Sequence, residues 1–266
     1  ASADGAMEVD YWYASRRRLA DLPSPESIGA MASARALRRL GARTISTRQA
    51  AVIFEAPVSS RILSDFISGL SGERVARGST YLAEKMGELV AHESLSFVDD
   101  PTLPWGIASR AFDGEGFASR PHPLVERGRL VGFLTNARTA ARIGCANGRN
   151  ASRGTSSAPS VSASHVHMEA GQGSVEAMMA ELGSGLLVTS TMGHGSDLVR
   201  GAYSQGATGW WFENGALAYP VHEVTVAGEI DTLMKTIIAR ADDLDVHRGV
   251  SAPSFAVQKM TVAGAG

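Results

Sequence analysis

Seven histidines, His92, His122, His165, His167, His194, His222 and His247, are the residues of this sequence best suited to metal chemistry. A zinc hydrolase helix carries two imidazoles with a glutamate beside the first, so that both rings share one face and the carboxylate polarises the metal-bound water. No such pair falls on any predicted helix: His92-Glu93 runs into Ser94-Leu95-Ser96-Phe97 with no second imidazole in range. His165 and His167 stand at strand spacing, which puts both rings on one face. Two ligands do not complete a tetrahedral site, and the simpler account is two polar side chains beside a loop. Cys145 follows Gly144 without an evident charged partner and reads as a small packed or loop thiol, not a nucleophile. There is no Gly-x-Ser-x-Gly elbow. The carboxylate pairs Asp99-Asp100, Asp113/Glu115 and Asp242-Asp243 sit at turns or helix ends, where they cap amides or face solvent. Neither Gly69–Gly72 nor Gly193-His194-Gly195 ends in the Gly-Lys-Ser/Thr of a phosphate loop, and Gly171-Gln172-Gly173 offers at most a helix N-terminus to an anion. Residue chemistry alone gives an α+β domain with no visible reaction centre.

With 266 residues, 44% of them apolar, the chain is long enough for one large core or two small ones. No stretch approaches the roughly 20 apolar residues of a membrane helix. A start of small polar residues without Met lacks the apolar segment of a secretory signal, and suggests a fragment or processed product. A net charge of −2 with scattered basic residues argues against nucleic acid as a partner, and the Arg16-Arg17-Arg18 cluster reads as a solvated face. A single cysteine excludes an internal disulfide framework and fits a reducing, cytoplasmic setting.

These side chains need elements to position them. Residues 1–20 read as a possible strand entering from a neighbouring unit. Ser24-Pro25-Glu26 opens a helix over 24–40, with Ile28, Met31, Ala32 and Ala36 as its buried stripe and Gly41 as its stop. Gln49–Phe54 is a buried strand feeding an amphipathic helix from Pro57 to Leu70, with Val58, Ile62, Leu63, Phe66, Ile67 and Leu70 on one face. Short strands are expected at 88–90 and 94–98, a hairpin at 123–134 turning at Gly128, and a long Ser-rich loop at 144–164. Ser174 caps a helix to Leu182, and Gly185–Thr189 is a strand. Asn214-Gly215 turns a hairpin over 210–220 whose second strand runs on through 221–226, with Val221, Glu223 and Thr225 on one face and His222, Val224 and Val226 on the other. A last helix is expected over 229–244. Hairpins and helices that do not alternate regularly predict an α+β fold: an antiparallel sheet with several packed helices.

The order of several segments resembles the C-terminal region of the TldD/PmbA family. The matching pieces include Ala51-Val52-Ile53-Phe54 before a helix, Gly78-Ser79-Thr80 after it, Asp113-Gly114-Glu115-Gly116, Val125–Leu130 and Leu134-Thr135-Asn136. Gly171-Gln172-Gly173, Gly206–Trp210, Glu213-Asn214-Gly215, Tyr219-Pro220-Val221 and Val224–Gly228 continue the series. The likeness covers residues 5–264, with 1–48 as a connecting segment and helix, 49–264 as the main domain, and the family's N-terminal domain absent.

TldD-like members carry His-Glu-x-x-x-His on the helix after the Val-Ile strand and a late Cys. Carried over by position, the first His falls on Leu63, the Glu on Ser64, the second His on Ser68 and the Cys on Ser251. None of the four is a zinc ligand or a general base, which puts the chain on the TldE/PmbA side. The resemblance then implies a cytoplasmic, metal-free subunit, not catalytic alone, that pairs with a zinc-bearing TldD-like partner to degrade unfolded peptides. Links to peptide maturation and to modulation of DNA gyrase come with the family. It also implies a cleft that holds extended peptide by strand pairing, with His165, His167 and His194 as candidate lining, the hairpins 123–134 and 210–226 as candidate edges, and 144–164 as a gate. Homodimerisation without the partner is a further possibility. Two other readings stay open: a metallopeptidase in its own right, and a gyrase-associated binding module.

Overall fold

A computed structural model describes residues 1–3, 5–193 and 195–265. In chain order it has strands β1 (Ser2–Ala3) and β2 (Ala6–Met7), helix α1 (Pro25–Leu37), strand β3 (Ser46–Phe54), and helices α2 (Ala56–Gly69) and α3 (Gly72–Ala76). Strands β4 (Phe97–Asp99), β5 (His122–Glu126) and β6 (Arg129–Leu130), helix α4 (Ala137–Ile143), and strands β7 (Ala151–Ser152), β8 (Ser160–Val161) and β9 (Val166–His167) follow. The last part holds α5 (Val175–Leu182), β10 (Gly185–Met192), β11 (Ala202–Glu213), β12 (Ala216–Glu229), α6 (Ile230–Lys235), β13 (Ile237–Arg240), β14 (Val250–Ser251) and β15 (Phe255–Ala265).

The main sheet runs β12-β11-β10-β3-β15-β13, and β12 also pairs with β15, so five of its strands close into a ring with β13 attached to β15. All its pairings are antiparallel except β10 with β3. Period-two alternation sorts the side chains onto two faces. Val52, Phe54, Leu186, Val188, Trp211, Phe255 and Val257 enter the larger core under α2, whereas Ile53, Leu187, Phe212 and Ala256 meet Met178 and Met179 of α5 on the other side. Helix α2 lays Val58, Ile62, Leu63, Phe66 and Ile67 into the larger core, all nearly inaccessible. Each such side chain contributes about 1.5–3 kcal/mol by leaving water. This α+β architecture, the α2 face, the Ser24 and Ser174 caps and the Asn214-Gly215 turn (φ 52 and 76) agree with the sequence.

Several elements differ from expectation. Residues 229–244 are not one helix: α6 stops at Lys235, and Ile237–Arg240 pairs with β15 as a strand. The β-branched Thr236, Ile237 and Ile238 favour the strand once a long edge is available. The 221–226 alternation is broken by a bulge, with Glu223 at φ 52, so Val221, Val224 and Val226 are all buried. Helix α1 ends at Leu37 and buries only Arg35 and Ala36, leaving Met31 exposed; its anchor is polar, with Arg35 and Arg38 gripping Glu55 at 2.9 and 2.8 Å. Residues 88–90 form no strand beyond a single bridge at Leu89, and only the end of 94–98 enters β4. Residues 1–20 hold the two-residue β1–β2 pair followed by extended chain. Strand β15 pairs along most of β3, with irregularities between Val257 and Met260 and between Val262 and Ala265, and its poorly alternating sequence carries no strand signal. The 144–164 segment is not structureless: it carries the β7–β8 hairpin.

Candidate functional site

Helix α2 has a polar side. Arg61, Ser64, Asp65 and Ser68 recur at three- and four-residue steps away from the core, the spacing that keeps one helical face in water. Leu63 points the other way and is fully buried. Strand β14 packs along α2, tied to it by Ser60, whose hydroxyl accepts from Ala252 N (3.0 Å) and donates to Ala56 O (2.7 Å). Ser254 adds a second tie: its Oγ accepts from Ala56 N (2.9 Å) and donates to Asp243 (2.6 Å). Ser251 of β14 is thereby brought, at a helix–strand seam, against α2, the helix that carries Leu63, Ser64 and Ser68. Ser251 is fully buried, and its hydroxyl meets no partner among the described residues.

Beside this seam lies a groove of about 490 Å³. Ser64, Ser68 and Val250 line one side, Glu73, Arg74 and Arg77 the next, and Val161–Ala163 the far side. A second hollow of about 330 Å³ lies around Arg61 and the N-terminal Tyr11–Tyr13, with Val250 again in its wall. The groove wall is held tightly. Gly72 N donates to Leu134 O at 2.7 Å, and a Cβ on Gly72 would stand 2.9 Å from Thr135, so no larger residue fits without displacing that wall.

Strand β14 pairs in parallel with β9, Val250 with Val166 and Ser251 with His167. This brings His165 and His167 next to the seam, 6.0 Å apart between ring centroids. His165 is 1% exposed; Ala108 N donates to its Nε2 (3.1 Å) and its Nδ1 contacts Asp100 O (3.2 Å). An accepting Nε2 and a donating Nδ1 describe the neutral ring, and burial accordingly lowers its pKa. His167 is half-buried and donates from Nε2 to Arg248 O at 3.0 Å. Both rings thus fasten backbone, and neither lines the groove beside α2. His194 lies outside the described residues. Among the described residues no group of three or more His, Cys, Asp or Glu is placed to hold a metal ion. Burial pushes the Cys145 thiol up, away from the thiolate a nucleophile needs.

Sequence reasoning missed the clamps around the groove. Asp99, read as part of a turn, is fully buried, and its carboxylate accepts from Asn150 Nδ2 (2.6 Å), Ser164 N (2.6 Å) and His165 N (3.0 Å). It joins both ends of the 150–164 segment, and burial raises its pKa to about 6 against these hydrogen bonds. Asp113 accepts from Glu115 N and Phe117 N, both at 3.0 Å, and Glu115 reaches the α4 amide of Ala137 at 2.8 Å. Asn136 and Thr139 cap α4 reciprocally. The Asp113–Gly116 and Leu134–Asn136 motifs are therefore fasteners of the groove's surroundings, and the only sequence sign of this was their turn chemistry.

A helix and a late strand meeting beside a groove, on a closed mixed sheet, define an α+β domain with a cleft at its surface. The chain belongs to the family described as PmbA/TldA metallopeptidase C-terminal domain, which matches residues 47–264. It is 34% identical over 265 residues to metalloprotease PmbA of Escherichia coli O157:H7, covering 99% of this chain and 57% of that protein. It is 32% identical to the PmbA homolog of Haemophilus influenzae, covering 98% and 56%. The chain thus spans a little over half the length of these curated relatives. A crystal structure from Bacteroides thetaiotaomicron, described as a candidate modulator of DNA gyrase, superposes with a TM-score of 0.88 at 28% identity, over 98% of this chain and 57% of that one. TldE from Thermococcus kodakarensis shares the fold, with a TM-score of 0.78 at 23% identity over 90% and 55%.

Proposed function

We propose that this chain is the C-terminal body of a TldE-type subunit, metal-free and not catalytic alone, which shapes the peptide cleft of a zinc peptidase completed by a TldD-like partner. One observation carries the reading. By family resemblance the four positions that bear the zinc chemistry in TldD-like members correspond to Leu63, Ser64, Ser68 and Ser251, three on α2 and one on the strand β14 packed against it. A buried alkyl group and three hydroxyls do not fit zinc, which takes thiolate, imidazole or carboxylate ligands. In this reading zinc belongs to the partner.

What the seam retains is a groove walled by hydroxyls and arginines, suited to holding an unfolded peptide while chemistry occurs elsewhere. In this reading the 144–164 segment, with its β7–β8 hairpin, controls access, and the subunit works in the cytoplasm; no described helix is long and apolar enough to cross a membrane. The names of the bacterial relatives favour a second reading, a metalloprotease in its own right.

Metal analysis and a peptide-cleavage assay, on the chain alone and with a TldD-like partner, separate the two. We expect no stoichiometric zinc, and cleavage only with the partner. Bound zinc with cleavage by the chain alone would establish the second reading.

A further inference from the structure

The groove beside α2 has two features that a solvated crevice does not require. The first is an open strand edge. Among the described residues strand β8 pairs only with β7. In an antiparallel ladder successive residues turn their N–H and C=O alternately toward and away from the partner. Ser162 N donates to Asn150 O at 3.0 Å, which is the inward-facing bond. Ala151, opposite Val161, spends its own backbone on the far side: its O accepts from Gly114 N (2.9 Å) and its N donates to Asp113 (3.3 Å). The Val161 N–H and C=O and the Ala163 N–H therefore point away from β7, and both residues line the groove.

The second feature is charge. Arg74 and Arg77 stand in the groove wall, and among the described residues neither forms an ion pair. The adjacent carboxylate, Glu73, faces Arg138 at 3.7 Å. Two exposed guanidiniums are left over, with the Ser64, Ser68 and Ser71 hydroxyls beside them. Guanidinium recognises carboxylate through paired N–H donors, and an open strand edge recognises an extended backbone.

We propose that an extended peptide adds as a strand to the Val161–Ala163 edge, with an acidic side chain or its terminal carboxylate held by Arg74 and Arg77. This rests on the reading of the chain as a peptide-holding subunit and assigns that cleft a preference for acidic peptides.

The test is a fluorescence-anisotropy titration of the purified chain with a labelled hexapeptide of alternating Val and Thr bearing two Glu residues and a free carboxylate. Its control has Gln for Glu and an amidated end. The acidic peptide is expected to bind at least about tenfold more tightly. The R74A/R77A double variant should lose that advantage while keeping the wild-type melting temperature, because both side chains are exposed. N-methylation of alternate peptide amides should abolish binding. Equal affinities, an advantage that survives in the variant, no binding of either peptide, or indifference to N-methylation would each overturn the proposal. Metal content and partner-dependent cleavage would be unaffected by any of these, so the partner-subunit reading stands or falls separately.

Discussion

Asp99 shows how much a single side chain does around the groove. Its three donors come from Asn150 and from the amides of Ser164 and His165, so one carboxylate closes the base of the 150–164 segment. Asn150 cannot simply rotate to suit a substitute, because its Oδ1 already accepts from Thr135 N at 3.0 Å. Asp99→Asn would set one amide NH2 against another, and we expect a loss of about 1–3 kcal/mol in urea unfolding. The pH dependence has a definite sign. The Asp99 pKa is raised from 3.8 to about 6, so between those values the folded state holds a proton that the unfolded state has released. The group's contribution to stability therefore falls as pH rises through that window and is constant above it. Unfolding midpoints from pH 4 to 7 should rise more steeply with pH, or fall less, in Asp99→Asn than in the natural protein; parallel profiles would contradict the assignment.

At the scale of elements, α2 divides its labour by face. Its apolar side anchors the larger core, and its polar side is strapped by neighbours: Arg61 donates to Gly193 O at 2.9 Å, and Asp65 accepts from Ser196 Oγ at 2.8 Å. The β7–β8 hairpin is the other element that defines the groove, and its stem and tip have different roles. Asn150, Ala151 and Ser164 are buried and clamped, whereas residues 153–158 are exposed. Replacing 153–158 by a two-residue turn should leave the thermal midpoint unchanged, since little buried surface is lost. If the hairpin gates the groove, the same change should raise the association rate of the acidic hexapeptide in stopped-flow anisotropy. An unaltered rate would remove the gate and leave the groove.

For the whole molecule, the outward face of the N-terminal arm is the feature most in need of a neighbour. From Met7 to Tyr13 alternate residues point outward, and Met7, Val9, Tyr11 and Tyr13 are 79%, 78%, 72% and 56% exposed. Between them Glu8 meets Arg39 at 3.0 Å, Asp10 meets Arg35 at 3.3 Å, and Trp12 lies under the Arg35 guanidinium at 5.3 Å. An arm fixed by charges on one side and apolar on the other suits an interface with another subunit. Light scattering after size exclusion should show a heterodimer on mixing with a TldD-like partner, and Tyr11→Ser with Tyr13→Ser should weaken it without lowering the melting temperature. A mixture that stays as separate chains would count against the partner.

The sequence by itself determined the elements whose signal is local. The α2 stripe, the Ser24 and Ser174 caps, the Asn214-Gly215 and Gly128 turns and the α+β class follow from spacing and turn chemistry, which neighbours only reinforce. The proposed correspondence of Leu63, Ser64, Ser68 and Ser251 to a zinc site rests on family resemblance, and it too was legible before the fold, because an alkyl group and three hydroxyls are not zinc ligands. Only the tertiary structure decided what depends on a distant partner. Ile237–Arg240 became a strand because β15 offered an edge, the bulge at Glu223 reset which valines are buried, and Asp99 became a clamp because Asn150 and Ser164 fold over it. The groove is of the same kind: Ser68, Arg74, Val161 and Val250 share no sequence pattern and meet only when α2, α3, β8 and β14 pack together.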